Sequence, residues 1–480
     1  MQRRESREEL EETTRREPEA KPVWRYLEAI IFYGLLVVIS LTAIPYGTVE
    51  PWSVGLFECA VFALGAIWFL TGLFKDNWRL PPLRLLLPLL ALVVFLALQT
   101  INFGGGGSGA AELQGALRGT ISADPYETRL TILRLLALTL VFVLLLSQAN
   151  SRGRLRALIY LVIGVGVLSA LFGILRQTTH HNGLGYLLPY LKPNSGYGQF
   201  INRNHFAFLM EMSFGLLLGL LIGGGVARER WLLYLSLAIP LWFALILSNS
   251  RGGIFSMLGQ VIFAVLMLTL ARSPERRSAG GRGRNIWLGR IKQSIITRAL
   301  LIIVLAVAVG FSIIWIGGDR LASRLETASP DANSEALDLR PGESRREVWR
   351  ATWSLIKDNP LAGVGFGGYW AVIPMYHDAS GILTPQQAHN EYLDILASGG
   401  IIGFALCAWF VVVVLMAARA QLRALDGFRR AVCFGALVGL FGVAVHSLFD
   451  FGLHFVVVNS LVFVVLLVLA IADMREPAEE

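Results

Sequence analysis

The chain has 480 residues, 55% of them hydrophobic, and a formal net charge of +8. Apolar stretches of roughly 18 or more residues recur along it, which excludes a soluble domain. Basic loops beside membrane helices explain the positive charge, so we exclude nucleic-acid binding. The sequence therefore predicts an all-α polytopic membrane protein.

The apolar runs predict about twelve membrane helices, each near the length that crosses a hydrocarbon core of roughly 30 Å. Nine lie within residues 25–317 and three within 397–473. A charged tail, residues 1–24, precedes the first run, which lacks a cleavage site and is expected to remain as a span. Residues 474–480 form a short C-terminal tail. The predicted spans are 25–44, 52–74, 82–99, 130–148, 155–175, 204–224, 231–248, 253–271, 299–317, 397–417, 431–449 and 455–473.

Lysine and arginine are concentrated in alternate connections between these spans. These connections are the N-terminal tail, 75–84, 152–156, 228–230, 272–298 and 419–430. Cytoplasmic loops carry such an excess of positive charge, so both termini are predicted to be cytoplasmic. Three longer segments then face outward, namely 100–129, 176–203 and 318–396.

The outward segment 318–396 is too long for a simple connector. Ser344 and Glu347 have the spacing of a capping box, and apolar residues follow at helical spacing. This pattern predicts an amphipathic helix of about three turns that rests on the membrane surface or on the bundle. The glycine-rich stretch Pro360–Trp370 lacks the strand and helix of a phosphate-binding loop, which favours tight turns. A second glycine-rich stretch, Gly104–Gly109, is predicted to be a flexible tip.

Polar residues gather on the predicted outward side. The adjacent His180 and His181 lack a second pair of metal-ligand residues, and no Asp-x-Asp motif lies on the outward side. We therefore predict no metal site and no cofactor. Glu58 and Glu211 lie within apolar spans and are expected to face the bundle interior, paired or protonated. All seven histidines fall on the outward side: His180, His181, His205, His377, His389, His446 and His454.

Outward-facing arginines accompany these histidines. Arg203 opens an apolar run in NRNHFAF, and Arg251 lies in SNSRGG between two spans. A charge within a membrane segment costs roughly 2.5–3.5 kcal/mol. Either the Arg251 side chain extends to the interface or binds helix-end carbonyls, or it forms an anion site for phosphate oxygens whose neighbouring glycines let a ligand approach. Arg345 and Arg346 are further candidates for this site, or ordinary surface charges.

The stretch HNEYLDILASGG places a histidine where a polar loop meets an apolar run. His389, Tyr392, Leu393 and Leu396 would share one helical face, with His389 in the first turn. There the helix dipole disfavours a protonated imidazole, so the ring is able to accept a proton. Asn390, or the glutamate after it, is a candidate to orient the ring or the substrate. The alternative is a histidine that only packs against or caps the helix.

A second polar pair is predicted near the end of the chain. His446 and Asp450, in HSLFDFGLH, stand one helical turn apart at an outward helix end. We expect these two side chains to form a structural pair that supports the site.

These motifs, in this order, resemble the O-antigen ligase and O-antigen polymerase superfamily of bacterial envelope glycosyltransferases. The resemblance covers most of the chain from about residue 150 onward, and the order and placement of the motifs make it specific. The motifs are Asn202–Met212, Ser248–Gly253, R-x-x-x-W with NPLAGVGFGGY across Arg345–Tyr369, Gln386–Gly403 and His446–His454.

The resemblance implies a metal-independent, GT-C-type glycosyltransferase in the bacterial inner membrane, with its active site facing the periplasm. Such an enzyme takes a glycan from an undecaprenyl diphosphate carrier. By motif match, His389 would activate the acceptor hydroxyl, while Arg251 and Arg203 would hold the carrier diphosphate. Because the donor is already activated, direct displacement with inversion is the simplest mechanism. The partners implied are the lipid-linked donor, membrane lipids, and a glycan, lipid A-core or lipid-linked acceptor.

Three other functions remain open at this point. A polymerase that joins lipid-linked repeat units uses the same donor chemistry as a ligase, and the motifs do not separate the two. A lipid or glycan transporter fits the helix count, but we find no internal repeat with paired broken helices. A non-catalytic scaffold would not need a histidine and arginines on one side of the membrane.

Overall fold

The fold is a bundle of long helices without a β-sheet in the part of the chain that the structure describes. The structure is a computed structural model that describes residues 22–75, 80–102, 119–179, 196–270, 345–377 and 385–473. Its helices are α1 (Pro22–Thr42), α2 (Pro51–Lys75), α3 (Leu83–Gln99), α4 (Pro125–Gln148), α5 (Arg152–Thr179), α6 (Arg203–Gly223), α7 (Trp231–Leu247), α8 (Arg251–Leu270), α9 (Arg345–Asp358), α10 (Glu391–Leu422), α11 (Gly427–His446) and α12 (Val457–Ile471).

Eleven of these helices correspond to predicted membrane spans. Among the described residues, nine helices are long and apolar enough to cross a membrane, and α3 and α12 are shorter apolar helices. The protein is therefore an all-α polytopic membrane protein, as predicted. The predicted span 299–317 lies outside the described residues, as do residues 1–21 of the N-terminal tail, the C-terminal tail 474–480, the tip Gly104–Gly109 and Ser344, whereas residues 22–24 of the predicted tail belong to α1. The count of about twelve spans stays a prediction.

Helix α6 is the centre of the bundle. It is buried along almost its whole length and packs most extensively against α11. Glycines make this close approach possible, because a Cβ added to Gly215 would lie 2.7 Å from the Cα of Gly439. One turn further on, Gly219 meets Gly435 in the same way. Small residues at such crossings let two helix backbones touch, so the beginning of α6 is held firmly beside the end of α11.

Helix α10 consists of two helical segments that join at a kink. Gly400 has a non-helical backbone, with φ 59° and ψ −162°. Its Cα lies against the backbone of Leu361, so that an added Cβ would overlap the Leu361 carbonyl. The first segment begins at Glu391, two residues after the predicted start of this helix at His389 and before the predicted membrane span, which starts at residue 397. This short segment carries the polar residues of the site towards the bundle.

The predicted amphipathic helix is present as α9. Its buried face includes Val348, Ala351 and Leu355, and the last two belong to a small hydrophobic core shared with the first segment of α10. The stretch Pro360–Trp370 that follows forms tight turns, as predicted, with positive φ at three glycines. The turns are held by backbone bonds, including one of 2.9 Å from the Val364 N–H to the Ala397 carbonyl. The glycine stretch therefore supports the kink of α10.

Short connections place alternate loops at opposite ends of the bundle. One end, which we call the site end, includes the connections around residues 43–50, 196–202, 248–250, 385–390 and 447–456. The connection at 43–50 contacts the beginning of α12 there, through a 3.2 Å bond from the Val458 N–H to the Gly47 carbonyl. At the other end, Arg152 forms a 2.9 Å ion pair with Asp426. That the site end faces the periplasm stays a prediction.

We expect Arg429→Ala to destabilise the protein. The buried Arg429 guanidinium donates to the carbonyls that end α12, at 2.6 Å to Ala472, 2.8 Å to Leu469 and 3.1 Å to Ala470. Truncation leaves buried carbonyls without partners, which costs about 1–3 kcal/mol for each unsatisfied group. The thermal unfolding midpoint in detergent should fall by several degrees, whereas the exposed neighbour Arg430→Ala should leave it unchanged. Equal midpoints for both variants would contradict this role.

Candidate active site at the site end

His389 lies immediately before α10 rather than in its first turn, so that part of the prediction is wrong. Its backbone has φ +51°, in the left-handed region that few residues other than glycine adopt. Asn390 is the residue that caps the helix, because its Oδ1 accepts from the N–H groups of Tyr392 and Leu393 at 2.9 and 3.1 Å. Non-glycine residues held in this conformation are enriched at functional sites.

The His389 imidazole contacts the carboxylate of Asp450. Its Nδ1 lies 3.3 Å from the Asp450 Oδ1, and the ring packs edge-on against Phe451 with centroids 4.9 Å apart. A carboxylate accepts only, so Nδ1 carries the proton and Nε2 has its lone pair available. Nε2 makes no hydrogen bond with any described residue, and 38% of the side chain is exposed. This histidine is therefore arranged to accept a proton from a bound molecule.

Asp450 is almost completely buried and connects several elements. Its Oδ2 lies 3.3 Å from the Arg345 Nη2 and accepts a hydrogen bond from the Asn204 side-chain amide, while the Phe451 N–H donates to Oδ1 at 2.8 Å. Burial alone would raise the pKa of this carboxyl. The combined effects of His389 and Arg345 outweigh burial and bring the pKa down to about 2. Asp450 is therefore ionised at neutral pH, and the stability that its contacts provide is fully present above the ordinary pKa of 3.8 and is lost as the pH falls from there through about 2.

The beginning of α10 is bound closely to the end of α11 and to the segment that follows it. The Asn390 Nδ2 donates to the Leu448 carbonyl at 2.9 Å, and the Tyr392 hydroxyl donates to the Ala444 carbonyl at 2.7 Å. The Glu391 N–H donates to the Ser447 carbonyl at 3.0 Å. Asn390 and Tyr392 thus fix the position of His389 over Asp450 without touching its ring in any contact that we observe.

A second histidine and carboxylate lie beside the first. The Glu391 Oε2 is 2.6 Å from the His454 Nδ1, and its Oε1 accepts from the N–H groups of Gly452 and Leu453 at 2.9 and 2.8 Å. The His454 Nε2 lies 3.1 Å from the Gln387 Oε1. This cluster ties the loop that carries His389 to the loop that carries Asp450.

The stability that the His454 cluster provides should depend on pH. Burial lowers the pKa of His454, and Arg134 has a small effect in the same direction. The negative charges of Glu391 and Asp394 outweigh both and raise the pKa to about 9. A raised pKa means that stability is fully present below the ordinary value of 6.5 and is lost as the pH rises through about 9. The thermal midpoint should therefore fall between these pH values.

In Glu391→Gln this fall in the thermal midpoint should largely disappear, since the charge that raises the pKa is gone. The exposed carboxylate Glu229→Gln, at the opposite end of the bundle, is the matched control and should keep it. The same pH dependence in both variants would show that the Glu391–His454 pair is not its source.

The four candidate arginines occupy different positions at the site end. Arg345 contacts Asp450, and its neighbour Arg346 is exposed on α9. Arg203 is the first residue of α6 and is partly buried, while Arg251 is the first residue of α8 and is exposed. Arg203 precedes Asn204, whose side chain binds Asp450, and Arg251 follows a serine that binds Asn204. Arg203 and Arg251 therefore flank the contacts that lead to His389.

The predicted side-chain pair of His446 and Asp450 is wrong. The His446 Nδ1 lies 3.1 Å from the Glu211 Oε2 instead, and its ring stacks on Phe208 with centroids 4.1 Å apart. A Cβ at Gly252 would lie 2.6 Å from the His446 Nε2. The glycines after Arg251 thus make room for neighbouring helices, whereas the sequence suggested that they make room for a ligand. Glu211 faces the interior and is paired, as expected.

Sequence reasoning missed three polar side chains of this region. Asn204 and Ser250 join the arginine-bearing turn to Asp450, and His454 pairs with Glu391. All three lie inside motifs that carried the family resemblance. Their partners come from distant positions in the chain, however, so spacing alone did not indicate what they contact.

The comparison with known families identifies the central part of the chain. A family model described as O-antigen ligase matches residues 235–408, a little over a third of the chain. This segment is similar to the O-antigen ligases. The resemblance seen in the sequence is thereby confirmed for residues 235–408, and the match supports an enzyme related to the glycosyltransferase-like O-antigen ligases and polymerases. No curated protein matches the chain.

The O-antigen ligase segment contains part of the site but not all of it. It includes α7, α8, α9 and the first segment of α10, and with them Arg251, Arg345 and His389. Arg203 and Asp450 lie outside the O-antigen ligase match, on α6 and after α11. The residues around His389 thus come from both sides of the matched segment.

Proposed function

We propose that this protein is an O-antigen ligase-type glycosyltransferase of the GT-C class in the bacterial inner membrane. It transfers a glycan from an undecaprenyl diphosphate carrier to an acceptor hydroxyl at the periplasmic face, without a metal. The observation that carries the proposal is the contact between His389 and the ionised Asp450, which leaves Nε2 as the basic nitrogen. The match of residues 235–408 to the O-antigen ligase family model supports the reaction class.

In the proposed reaction, the acceptor oxygen attacks the anomeric carbon of the first sugar. The bond from that carbon to the diphosphate oxygen breaks, and the anomeric configuration inverts. The acceptor proton passes to the His389 Nε2, and the buried carboxylate of Asp450 stabilises the imidazolium that forms. The proton then leaves to solvent through the exposed part of the ring. No covalent enzyme intermediate is needed.

Positive charge is required where the leaving diphosphate develops negative charge. Arg251 supplies it in this proposal, with Arg203 as the second arginine, because a guanidinium offers paired donors that match phosphate oxygens. Arg345 is already 3.3 Å from Asp450, so we assign it to the support of that carboxylate. Asn390 and Tyr392 hold the loop, and we assign no catalytic role to Arg346 or His446.

The direct test is a transfer assay with purified protein. The protein is incubated in nanodiscs with EDTA, an undecaprenyl diphosphate-linked glycan and one acceptor at a time, either lipid A-core or a second lipid-linked glycan. We expect a new glycosidic bond and release of undecaprenyl diphosphate with lipid A-core. A product only with the lipid-linked acceptor would replace the ligase by a polymerase. Movement of the lipid across the membrane without a new bond would overturn the proposal in favour of a transporter.

A further inference from the structure

A line of hydrogen bonds runs from the turn before α8 to the ring of His389. The Ser250 Oγ lies 2.8 Å from the Asn204 Oδ1, and the Asn204 Nδ2 donates to the Asp450 Oδ2. The Asp450 Oδ1 faces the His389 Nδ1 at 3.3 Å. Ser250 and Asp450 are completely buried. The turn that precedes Arg251 is thus linked to the catalytic histidine through one amide side chain.

The direction of each bond in this line is fixed. An ionised carboxylate cannot donate, so the Asn204 amide must present its NH₂ group to Asp450 and its oxygen to Ser250. Ser250 then donates its hydroxyl proton to Asn204, and its Oγ also faces the Gly253 N–H at 3.2 Å. A flipped amide would oppose acceptor to acceptor at Asp450. Asn204 therefore holds both neighbours in one arrangement.

The turn that Asn204 holds is itself rigid. Asn249 has φ +56°, and the Ser250 N–H lies 3.4 Å from the Ser248 Oγ. Gly252, directly after Arg251, packs against the His446 ring, which is bound to the buried Glu211. Small movements of such a turn are opposed from both sides, so the beginning of α8 has one position relative to α6.

We propose that Asn204 is a positioning residue that sets the position of the Arg251 turn relative to His389. This inference rests on the proposed function, in which Arg251 holds the donor diphosphate and His389 activates the acceptor. Both groups must lie at a fixed separation, because the bond that forms and the bond that breaks share the anomeric carbon. A displacement of about 1 Å at such a site costs up to about a hundredfold in rate.

The experiment compares Asn204→Ala, Ser250→Ala and the double variant in the transfer assay. Ser250→Ala removes the link between Asn204 and the turn, together with the acceptor of the Gly253 N–H, and should raise the KM for the lipid-linked donor by about tenfold, with the acceptor KM unchanged. Asn204→Ala should also lower kcat, since Asp450 loses a donor. Because the two side chains act in series, the double variant should be no worse than Asn204→Ala alone. If Asn204→Ala does not fold, Ser250→Ala decides the matter by itself.

The matched control is Ser213→Ala, which removes a buried hydroxyl bond on α6 to the Val162 carbonyl, away from the site. Its donor KM should stay at the wild-type value. If Ser250→Ala and Ser213→Ala give the same donor KM, or if the effects at 204 and 250 simply add, the positioning role is overturned. The proposed function is tested separately by His389→Ala in the same assay. Transfer activity in His389→Ala would contradict the proposed function itself. If His389→Ala is inactive while Ser250→Ala keeps the wild-type donor KM, only the positioning role of Asn204 is contradicted.

Discussion

His389→Gln is expected to lower kcat for glycan transfer by at least about a hundredfold, because glutamine cannot accept the proton of the acceptor hydroxyl. The substitution keeps a polar side chain next to Asp450, so the protein should fold, and donor binding should change little. Single-turnover measurements with saturating donor separate the lost chemical step from binding.

The control for His389→Gln is Gln386→Ala, an exposed position on the same loop, which should transfer at the wild-type rate. A His389→Gln enzyme with a kcat within a few fold of the wild type would show that another group accepts the proton. The role of Asp450 would then be reduced to structure.

Arg251→Ala is expected to lower kcat/KM for the donor by about 10²–10³-fold, the usual cost of removing a group that stabilises developing negative charge. Arg251→Lys should recover part of this loss, since an ammonium keeps the charge but not the paired donors. The measurement is donor-dependent transfer at several salt concentrations, because the attraction of an exposed arginine to a diphosphate is screened by salt.

Arg350→Ala, which removes an exposed arginine from α9, is the matched charge control for Arg251→Ala and should behave as wild type. If both variants lose activity equally, the effect arises from the general positive charge of the site end. The assignment of the diphosphate to Arg251 would then be wrong.

The membrane helices could be predicted because apolar runs of sufficient length are a local property. Helices such as α6 and α7 begin and end within a residue or two of the predicted bounds. The amphipathic helix α9 and the tight turns after it were also predictable, since helical spacing and glycine placement are local signals. The start of α10 was predicted to within two residues, but its kink was not, because the bend at Gly400 depends on a contact with the backbone of Leu361.

The partners of the polar side chains could not be read from spacing. His446 and Asp450 stand one turn apart in sequence, yet α11 ends between them and the two side chains face different neighbours. Asp450 instead meets residues from α6, α9 and the loop before α10. Such contacts depend on how distant helices pack, which one sequence does not reveal. The resemblance indicated the right segments, and the structure indicates which atoms meet within them.

The central claim is that the carrier diphosphate binds at Arg251 while the first sugar faces His389. An experimental structure with undecaprenyl diphosphate, or with a lipid-linked glycan bound to His389→Gln, measures this directly. We predict diphosphate oxygens within about 3 Å of the Arg251 guanidinium and the anomeric carbon on the Nε2 side of residue 389. The account would be contradicted by a carrier bound elsewhere on the bundle. It would also be contradicted if residues 251 and 389 lay on separate surfaces that share no binding site for the carrier.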